Sequence, residues 1–161
     1  MAKDKIPSTP ALRLLRQQRV NFIPRPYSYE AKGGTAVSAR ELGVAEHNVI
    51  KTLIMEDDAR QPLIVLMHGD CEVSTKELAR LIGVKSIRPC DPKTADRHSG
   101  YQVGGTSPFA TRKNMPVYLE KTILELDRIY INGGKRGLLI EIDPRTLCEL
   151  LQPELISVAI S

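Results

Sequence analysis

The chain has 161 residues, of which 42% are hydrophobic and 26% charged, and its formal net charge is +4. These values fit one globular domain and exclude disordered and fibrous chains. No apolar run approaches the ~20 residues that a membrane-spanning helix needs, and no signal-peptide core follows the first residues, so we expect a cytoplasmic protein without a membrane partner. The excess of positive charge permits RNA binding. With 4% aromatic residues and no Trp there are few platforms for stacking bases, so we do not expect the protein to read the sequence of a long RNA. We also expect no DNA partner.

The cysteines and histidines show none of the spacings of a metal site. There is no Cys-x-x-Cys or His-x-x-x-His pair, and the number of cysteines is odd. The sequence therefore predicts reduced thiols, no disulfide framework, no protein-bound metal and no cofactor. The residues concerned are Cys71, Cys90, Cys148, His47, His68 and His98.

The predicted elements of the first half alternate between helix and strand. Residues 1–8 are predicted to be disordered or loosely attached. Thr9 and Pro10 then begin a helix, because a capping hydroxyl precedes a proline at the first helical position. The next elements are an extended edge segment over Asn21–Tyr29, a helix over about Ala36–Leu42 that ends at Gly43, and a hairpin of Val49–Met55 with Leu63–Met67.

The second half begins with a capping box, Ser74–Glu77, which predicts another helix start. After it we expect a strand over Val84–Ile87, a helix over Pro92–His98, an irregular glycine-rich loop over Gly100–Phe109, strands at Val117–Leu119, Ile129–Ile131 and Leu138–Ile142, and a final helix from Asp143–Pro144. This order lacks a steady β-α-β rhythm. It favours one α/β domain, residues 9–161, with a mixed, barrel-like sheet surrounded by helices.

Three glycine pairs lie in predicted connections: Gly33–Gly34, Gly104–Gly105 and Gly133–Gly134. Glycine allows close backbone approach, so such segments can direct successive N–H groups at an anion or a developing oxyanion. The alternative is that each pair only makes a tight turn. After the third pair, Lys135 and Arg136 either bind a phosphate or a terminal ribose or merely keep a hairpin tip soluble.

Lys51 places an ammonium group in a predicted apolar strand. Strand alternation puts it on the same face as Leu53 and Met55. It either marks an edge strand, where lysine discourages aggregation, or points into a pocket to bind an anion or a carbonyl. By contrast, Ser107 has no Gly-x-Ser-x-Gly setting and is followed by Pro108, so we do not expect a Ser-His-Asp triad.

Three blocks, Val49–Leu53, Gly100–Pro108 and Tyr130–Leu138, follow one another in a specific order and at specific gaps. Together they resemble the YbaK/EbsC family, and in particular bacterial Cys-tRNA(Pro) deacylases; the insertion domain of prolyl-tRNA synthetase shares this fold. The resemblance implies one α/β domain with a pocket for the 3′ aminoacyl-adenosine end of a charged tRNA. It also points to prolyl-tRNA synthetase as a partner.

The resemblance implies roles for single residues as well. Lys51 would be the pocket lysine that orients the adenosine end, and Gly104 and Gly105 would approach the scissile carbonyl. The substrate-binding positions would be Tyr27, Thr52, Thr106, Ser107, Pro108, Asn132, Gly133, Gly134, Lys135, Arg136 and Leu139. A basic ridge near the first helix, formed by Arg13, Arg16 and Arg19, is either a tRNA contact or a solvated helix face.

The implied reaction needs no protein nucleophile, because the thiol of a cysteine substrate attacks its own ester and leaves as a thiolactone. The protein would hold the thiol and the carbonyl in a reactive pose and stabilise the oxyanion. Relatives with strong cysteine preference have Ser at the position of Asn132 and Asp at that of Leu139, so alanine and serine esters stay open as substrates. The alternatives from other classes are a non-catalytic module that binds tRNA or a synthetase, and a hydrolase for another small activated ester.

Overall fold

The computed structural model describes residues 6–161, so the predicted loose attachment of residues 1–5 concerns a part of the chain outside the described residues. Over the described range the α-helices are Pro10–Gln17 (α1), Gly34–Leu42 (α2), Thr75–Ile82 (α3), Pro92–Ser99 (α4) and Pro144–Leu151 (α5). The strands are Ile23–Pro26 (β1), Val49–Asp57 (β2), Pro62–His68 (β3), Glu72–Val73 (β4), Ile87–Pro89 (β5), Val117–Glu120 (β6), Ile129–Lys135 (β7), Leu138–Ile142 (β8), Glu154–Ile156 (β9) and Ala159–Ile160 (β10). Two short 3-10 turns lie at Glu46–Asn48 and Lys121–Glu125.

Eight of these strands form one mixed sheet. Its hydrogen-bonded order is β1-β8-β7-β2-β3-β6-β9, and β5 pairs with β2 beside this path. The pairs β2–β7, β3–β6 and β6–β9 are parallel, and the other pairs of this sheet are antiparallel. The predicted single α/β domain with a mixed sheet and surrounding helices is confirmed. Every helix within residues 6–161 is too short or too polar to cross a membrane.

The start of α1 follows the predicted capping chemistry, and α4 and α5 begin in the same way. Thr9 Oγ1 accepts a hydrogen bond from the Leu12 N–H at 3.1 Å, and Pro10 is the first residue of α1. Asp91 and Asp143 cap α4 and α5, again directly before a proline. These short side chains satisfy N–H groups that have no partner inside the helix, which fixes where each helix begins.

The helix start predicted at Ser74 is confirmed as the start of α3, but two details near this helix are wrong. Ser74 Oγ accepts the Glu77 N–H at 3.2 Å, but the Ser74 N–H donates to a carbonyl of the C-terminal segment, so the capping box is only half formed. The strand expected over Val84–Ile87 begins only at its last residue, because the two preceding N–H groups donate to Asp58 Oδ1 instead of to a strand.

The strands β2 and β3 form the predicted hairpin at the centre of the sheet, where Ile50–Glu56 pairs with Pro62–His68. On one face of β2, side chains such as Ile54 join the larger core cluster together with α1, α4 and α5. On the other face, side chains such as Met55 join a second cluster with α3. Because both faces of this hairpin are packed, functional groups on β2 are held on a rigid support.

The segment around the third glycine pair is part of a strand, not a connection as predicted. β7 continues to Lys135, and a bulge at Gly133–Gly134 interrupts its pairing with β8. Thr9 Oγ1 donates a hydrogen bond to the Gly133 carbonyl at 2.6 Å. An added Cβ on Gly134, where φ is +102°, would lie 2.7 Å from the Tyr101 side chain. Glycine suits the bulge because other segments pack directly against its backbone.

Candidate functional site

The candidate site is a gap in the sheet beside β2. On the side away from β3, β2 pairs with β7 at Val49 and Ile50 and with β5 from Met55 onward. Between these stretches, residues 51–54 have no strand partner on that side within the described part of the chain. A cavity of about 750 Å³ opens there and is lined by residues from both faces of β2. Its size is in the range of pockets that hold small molecules.

Thr52 presents polar groups without partners to this cavity. The Val49 carbonyl accepts the Gly69 N–H on the β3 side, and the Ile54 carbonyl accepts the Cys90 N–H on the opposite side. Peptide groups alternate between the two sides of a strand, so the N–H and the carbonyl of Thr52 point into the gap. The Thr52 Oγ1 atom is buried and also has no hydrogen-bond partner. Since such an atom is costly to leave unsatisfied, a polar ligand atom that reached it would be stabilised by a hydrogen bond.

Lys51 lies on a strand inside the sheet order, next to the gap, so it does not protect an outer edge of the sheet and the edge-strand explanation is wrong. Its side chain is 20% exposed and lines the cavity, and its Nζ atom is 3.7 Å from Oε1 of Glu72, whose side chain is 84% exposed. An ion pair with such an exposed carboxylate is weak and is screened by salt. The ammonium group of Lys51 is therefore available to an anionic ligand.

The cavity wall is largely apolar with a cationic bias. Lys32, Lys51 and Arg136 line it, together with one acidic side chain, Glu30. Its apolar part comes from α2, β2 and β8 and includes Val37, Val49, Ile50, Leu53, Ile54 and Leu139. Such a wall favours a ligand with an apolar or planar body and a negative charge.

Eight of the predicted site residues line this cavity: Tyr27, Lys51, Thr52, Gly104, Thr106, Asn132, Arg136 and Leu139. They come from separate parts of the chain, because the sheet order places β7 and β8 next to β2. Burial raises the pKa of the Tyr27 phenol, which keeps it protonated at neutral pH and able to donate a hydrogen bond.

The two glycines predicted to be catalytic differ in position. Gly104 borders the cavity, and a Cβ added to it would lie 2.7 Å from the Tyr29 hydroxyl. Gly105 packs against the tip of the β7–β8 hairpin, where an added Cβ would lie 2.6 Å from the backbone nitrogen of Arg136. Its N–H already donates to the Gln102 carbonyl at 2.8 Å. Gly105 therefore holds the loop in place, whereas Gly104 faces the ligand space.

Asn132 and Arg136 join the glycine-rich loop to the hairpin. The Asn132 amide donates to the Gly104 carbonyl at 3.2 Å, and its oxygen accepts two N–H groups of its own hairpin. Arg136 Nε donates to the Val103 carbonyl at 2.9 Å, and its guanidinium carbon lies 5.4 Å from the centre of the Tyr29 ring. The polar atoms of Asn132 are thus used in hydrogen bonds within the protein, which hold the glycine-rich loop against the hairpin.

Six predicted site residues are not on the cavity wall: Gly105, Ser107, Pro108, Gly133, Gly134 and Lys135. Ser107 is completely buried, and its Oγ atom accepts the Phe109 N–H at 3.1 Å. Lys135 is exposed at the hairpin tip. For these residues the motif identifies the segments that build the site. Within those segments, polar groups such as the Ser107 hydroxyl are used in contacts inside the protein.

The predicted arginine ridge is only partly a helix face. Arg13 and Arg16 are exposed on α1, whereas Arg19 follows the end of that helix with φ +56°. The cavity wall contains none of these three described side chains. A tRNA contact by the arginines would therefore lie outside the cavity, and it stays a prediction.

The described cavity wall carries no activated nucleophile. It contains none of the three histidines, so no hydroxyl or thiol there has an imidazole base. Cys90 lines the cavity, but burial, assisted by the neighbouring Glu56 carboxylate, raises the pKa of its thiol to about 11. The reactive thiolate form of Cys90 is therefore disfavoured at neutral pH.

Sequence reasoning missed the side of the cavity that α2 forms. Tyr29, Thr35 and Val37 line it from α2 and the loop before it. Thr35 Oγ1 donates to Glu46 Oε2 at 2.7 Å, which fastens the start of α2 to the turn that precedes β2. No periodicity or spacing along the chain indicates this contact, because it depends on how α2 packs on the sheet.

Comparisons with known proteins give the family. Residues 30–150 match the family model described as the aminoacyl-tRNA editing domain. The chain belongs to this family. A protein of Enterococcus faecalis named "Putative Cys-tRNA(Pro)/Cys-tRNA(Cys) deacylase EbsC" is 30% identical over 152 residues, which are 93% of each chain. The resemblance to the YbaK/EbsC family is confirmed.

Two further matches are to part of a proline–tRNA ligase and to a solved structure. A proline–tRNA ligase of Thermodesulfovibrio yellowstonii is 37% identical over 84 residues, which are 52% of this chain and 13% of the ligase. A crystal structure described as "a putative trans-editing enzyme for prolyl tRNA synthetase" matches with a TM-score of 0.81 at 18% identity, covering 97% of this chain and 100% of the other. At that identity the structural match supports the fold alone.

Proposed function

We propose that this protein is a trans-editing deacylase that removes the wrong amino acid from mischarged tRNA. Cysteine on tRNA(Pro) is the leading substrate, with Cys-tRNA(Cys) as a second. The unpaired side of β2 carries this proposal, because Thr52 and Lys51 bring unpartnered polar groups and a cation to a cavity that suits an aminoacyl-adenosine end. The relative from Enterococcus faecalis, which is named for the same two substrates, supports it.

The proposed reaction uses the substrate's own thiol. The cysteine sulfur attacks the ester carbonyl, a C–S bond forms, the C–O bond to the terminal ribose breaks, and the thiol proton passes to the ribose oxygen. The products are a cysteine thiolactone and uncharged tRNA. The absence of an activated nucleophile on the described cavity wall supports this route. The protein would contribute by holding the sulfur and the carbonyl within reacting distance.

Four residues of the cavity wall then have roles suited to their chemistry. Lys51 would orient the phosphate and adenosine end of the tRNA through its charge. The hydroxyl and peptide groups of Thr52 would bind the amino and carbonyl groups next to the ester. The protonated phenol of Tyr27 would donate a hydrogen bond, and the backbone of Gly104 would approach the ester carbonyl.

Leu139 favours a second group of substrates. It is 4% exposed and packs in an apolar cluster with Ala39 and Val49, so it offers no charge to the amino group of cysteine. A small ester such as that of alanine or serine fits the same wall, and water would then replace the thiol as the attacking group.

Prolyl-tRNA synthetase is the proposed partner that supplies the tRNA, since part of a proline–tRNA ligase is similar to this chain.

The first test is the release of labelled amino acid from Cys-tRNA(Pro), Ala-tRNA(Pro) and Ser-tRNA(Pro). We expect Lys51→Ala to lower the rate for the preferred ester by about 10- to 100-fold, because a hydrogen bond to a charged group contributes ~1.5–3 kcal/mol. Lys76→Ala, which removes an exposed lysine of α3, is the matched control and should keep full activity. Circular dichroism checks that both variants fold.

Two outcomes of this test overturn parts of the proposal. Unchanged release by Lys51→Ala would remove Lys51 from the site, and no release from any of the esters would favour a tRNA-binding module without activity. Esters of S-methylcysteine test the thiol step separately. They should resist cleavage if the thiol attacks, and they should be cleaved at a similar rate if water attacks.

A further inference from the structure

Three side chains of the types that bind transition metals lie close together near the start of β2. His47 comes from the 3-10 turn before β2, and Asp70 and Cys71 come from the turn between β3 and β4. One donor atom from each lies within 4.8 Å of the other two. Asp70 Oδ1 is 2.9 Å from His47 Nδ1 and 3.6 Å from Cys71 Sγ. These residues are separate from the cavity wall described above.

Two of the three donor–donor distances are close to those around a tetrahedral zinc ion. The third, between His47 and Cys71 Sγ, lies within 4.8 Å and would have to close to about 3.6 Å around the ion. With bond lengths of about 2.0–2.2 Å to nitrogen and oxygen and ~2.3 Å to sulfur, neighbouring donor atoms around zinc lie about 3.3–3.6 Å apart. The distance between Asp70 Oδ1 and Cys71 Sγ already matches this value. The distance between Asp70 Oδ1 and His47 Nδ1 needs to open by roughly 0.5 Å, as a metal ion replaces the shared proton.

The imidazole ring of His47 is held in place by a buried neighbour. It stacks on the ring of His68, with 3.7 Å between centroids and 7° between planes. His68 Nδ1 donates to the His47 carbonyl at 2.8 Å, and its Nε2 accepts from Thr122 Oγ1 at 2.7 Å. The Cys71 N–H donates to the His68 carbonyl at 3.1 Å, which links both ligand-bearing turns. Such support keeps metal ligands oriented.

The exposure of the three ligands leaves one direction open. Cys71 is buried, whereas the side chains of His47 and Asp70 are 44% exposed. With three protein ligands on one side and solvent on the other, a water molecule can occupy the fourth coordination position of the ion. Linear spacing did not reveal this cluster, because His47 and Cys71 belong to turns that only the β2–β3 hairpin brings together.

We propose that His47, Asp70 and Cys71 bind one Zn²⁺ ion, with water as the fourth ligand. A set of one thiolate, one imidazole and one carboxylate suits zinc and cobalt better than magnesium or calcium, which prefer oxygen ligands. Zinc would fasten the 3-10 turn to the β3–β4 turn, and both turns adjoin the hairpin that carries Lys51. This site goes beyond the proposed deacylase activity and does not depend on it.

Cobalt is the probe for this site, because a Co²⁺–thiolate bond gives a charge-transfer absorption band. The metal-free full-length protein should develop this band on titration with Co²⁺ and lose it when Zn²⁺ is added, and Zn²⁺ should raise the melting temperature. Cys71→Ser should abolish the band. Cys148→Ser, which removes a thiol of α5 away from the cluster, should keep it.

A second variant reports on the imidazole ligand. His47→Gln should weaken Zn²⁺ binding by at least about tenfold in calorimetry, because one of three protein ligands is lost. The proposal is overturned if the wild-type protein gives no thiolate band, or if the band persists in Cys71→Ser. Equal zinc affinity of His47→Gln and the wild type would overturn the assignment of this ligand set.

Discussion

Strand β2 and the glycine-rich loop Gly100–Phe109 border the same cavity but contribute to it differently. The strand, with an apolar pattern that is typical of a core element, leaves the hydroxyl group of Thr52 without a partner. The loop, whose composition is more typical of a ligand-binding segment, satisfies many of its polar groups internally. Tyr101 Oη donates to the Phe109 carbonyl at 2.6 Å, and Ser107 Oγ accepts the Phe109 N–H. The proposed function depends on which polar groups stay unsatisfied rather than on which residues form a motif.

The internal contacts of the loop hold it against the β7–β8 hairpin. Gly105 brings it against the backbone of Arg136 with no room for a side chain, and Asn132 fixes the Gly104 carbonyl. The loop and the β7–β8 hairpin therefore form one wall of the cavity, and β2 forms a second wall. This difference between the two walls predicts that substitutions in the loop act on folding first, whereas those on β2 act on the reaction.

The largest effect on stability should come from Gly105→Ala. Its Cβ would lie 2.6 Å from the Arg136 nitrogen and 2.8 Å from the Lys135 carbonyl carbon, and both are backbone atoms that cannot rotate away. Overpacking of this kind costs about 1–3 kcal/mol. We expect a lower free energy of unfolding in urea, and deacylation should fall as well because Gly104 and Arg136 line the cavity.

Gly83→Ala is the control for this substitution. Gly83 ends α3 with φ +84° and has open space around its Cβ position, so alanine there costs backbone strain of about 1–2 kcal/mol without moving the site. It should lower stability and keep full activity per folded molecule. If Gly105→Ala were as stable and as active as the wild type, the tight contact between the loop and the hairpin would be wrong.

Thr52→Val should have the opposite effect to Gly83→Ala: it should lower activity and keep stability. Valine has nearly the same shape as threonine but lacks the hydroxyl that has no partner in the free protein. Because an unsatisfied buried hydroxyl costs about 1–3 kcal/mol, the free energy of unfolding should stay equal or rise. We expect kcat/KM for the preferred ester to fall about tenfold, which corresponds to ~1.4 kcal/mol of transition-state binding.

A second threonine provides the comparison for Thr52→Val. Thr122 Oγ1 donates to His68 Nε2 at 2.7 Å, so Thr122→Val removes a bond that the protein already makes. This variant should lose about 1 kcal/mol of stability and keep its activity. Should Thr52→Val instead lose stability and cleave normally, its hydroxyl would be structural and the open side of β2 would not bind the substrate through it.

Much of the fold could be predicted from the sequence, because local chemistry determines it. Thr9, Asp91 and Asp143 cap their helices through hydrogen bonds to the next few N–H groups, and Gly43 ends α2 in the left-handed conformation. The hairpin of β2 and β3 follows from two apolar runs around a polar turn. These signals lie within a few residues of one another, so the pattern contains them in full.

The gap beside β2 could not be predicted, because it arises where β7 and β5 leave the strand between them without a neighbour. Nothing in the sequence of β2 encodes where its partners end. The same reason explains why Lys51 could equally be read as an edge residue, and why the Gly133–Gly134 bulge was expected to be a connection. Pairing over long chain distances decides these features.

The smallest effect should come from Ser107→Ala, and it tests the comparison most directly. The resemblance places Ser107 among the substrate-binding residues, but its buried hydroxyl accepts the Phe109 N–H and lies off the cavity wall. Loss of that bond should cost about 1 kcal/mol in urea denaturation. Deacylation per folded molecule should stay within about twofold of the wild type. A twofold change corresponds to ~0.4 kcal/mol of transition-state binding. A tenfold loss at unchanged stability would instead mean that the loop binds the substrate directly, and the contrast with Thr52 would then disappear.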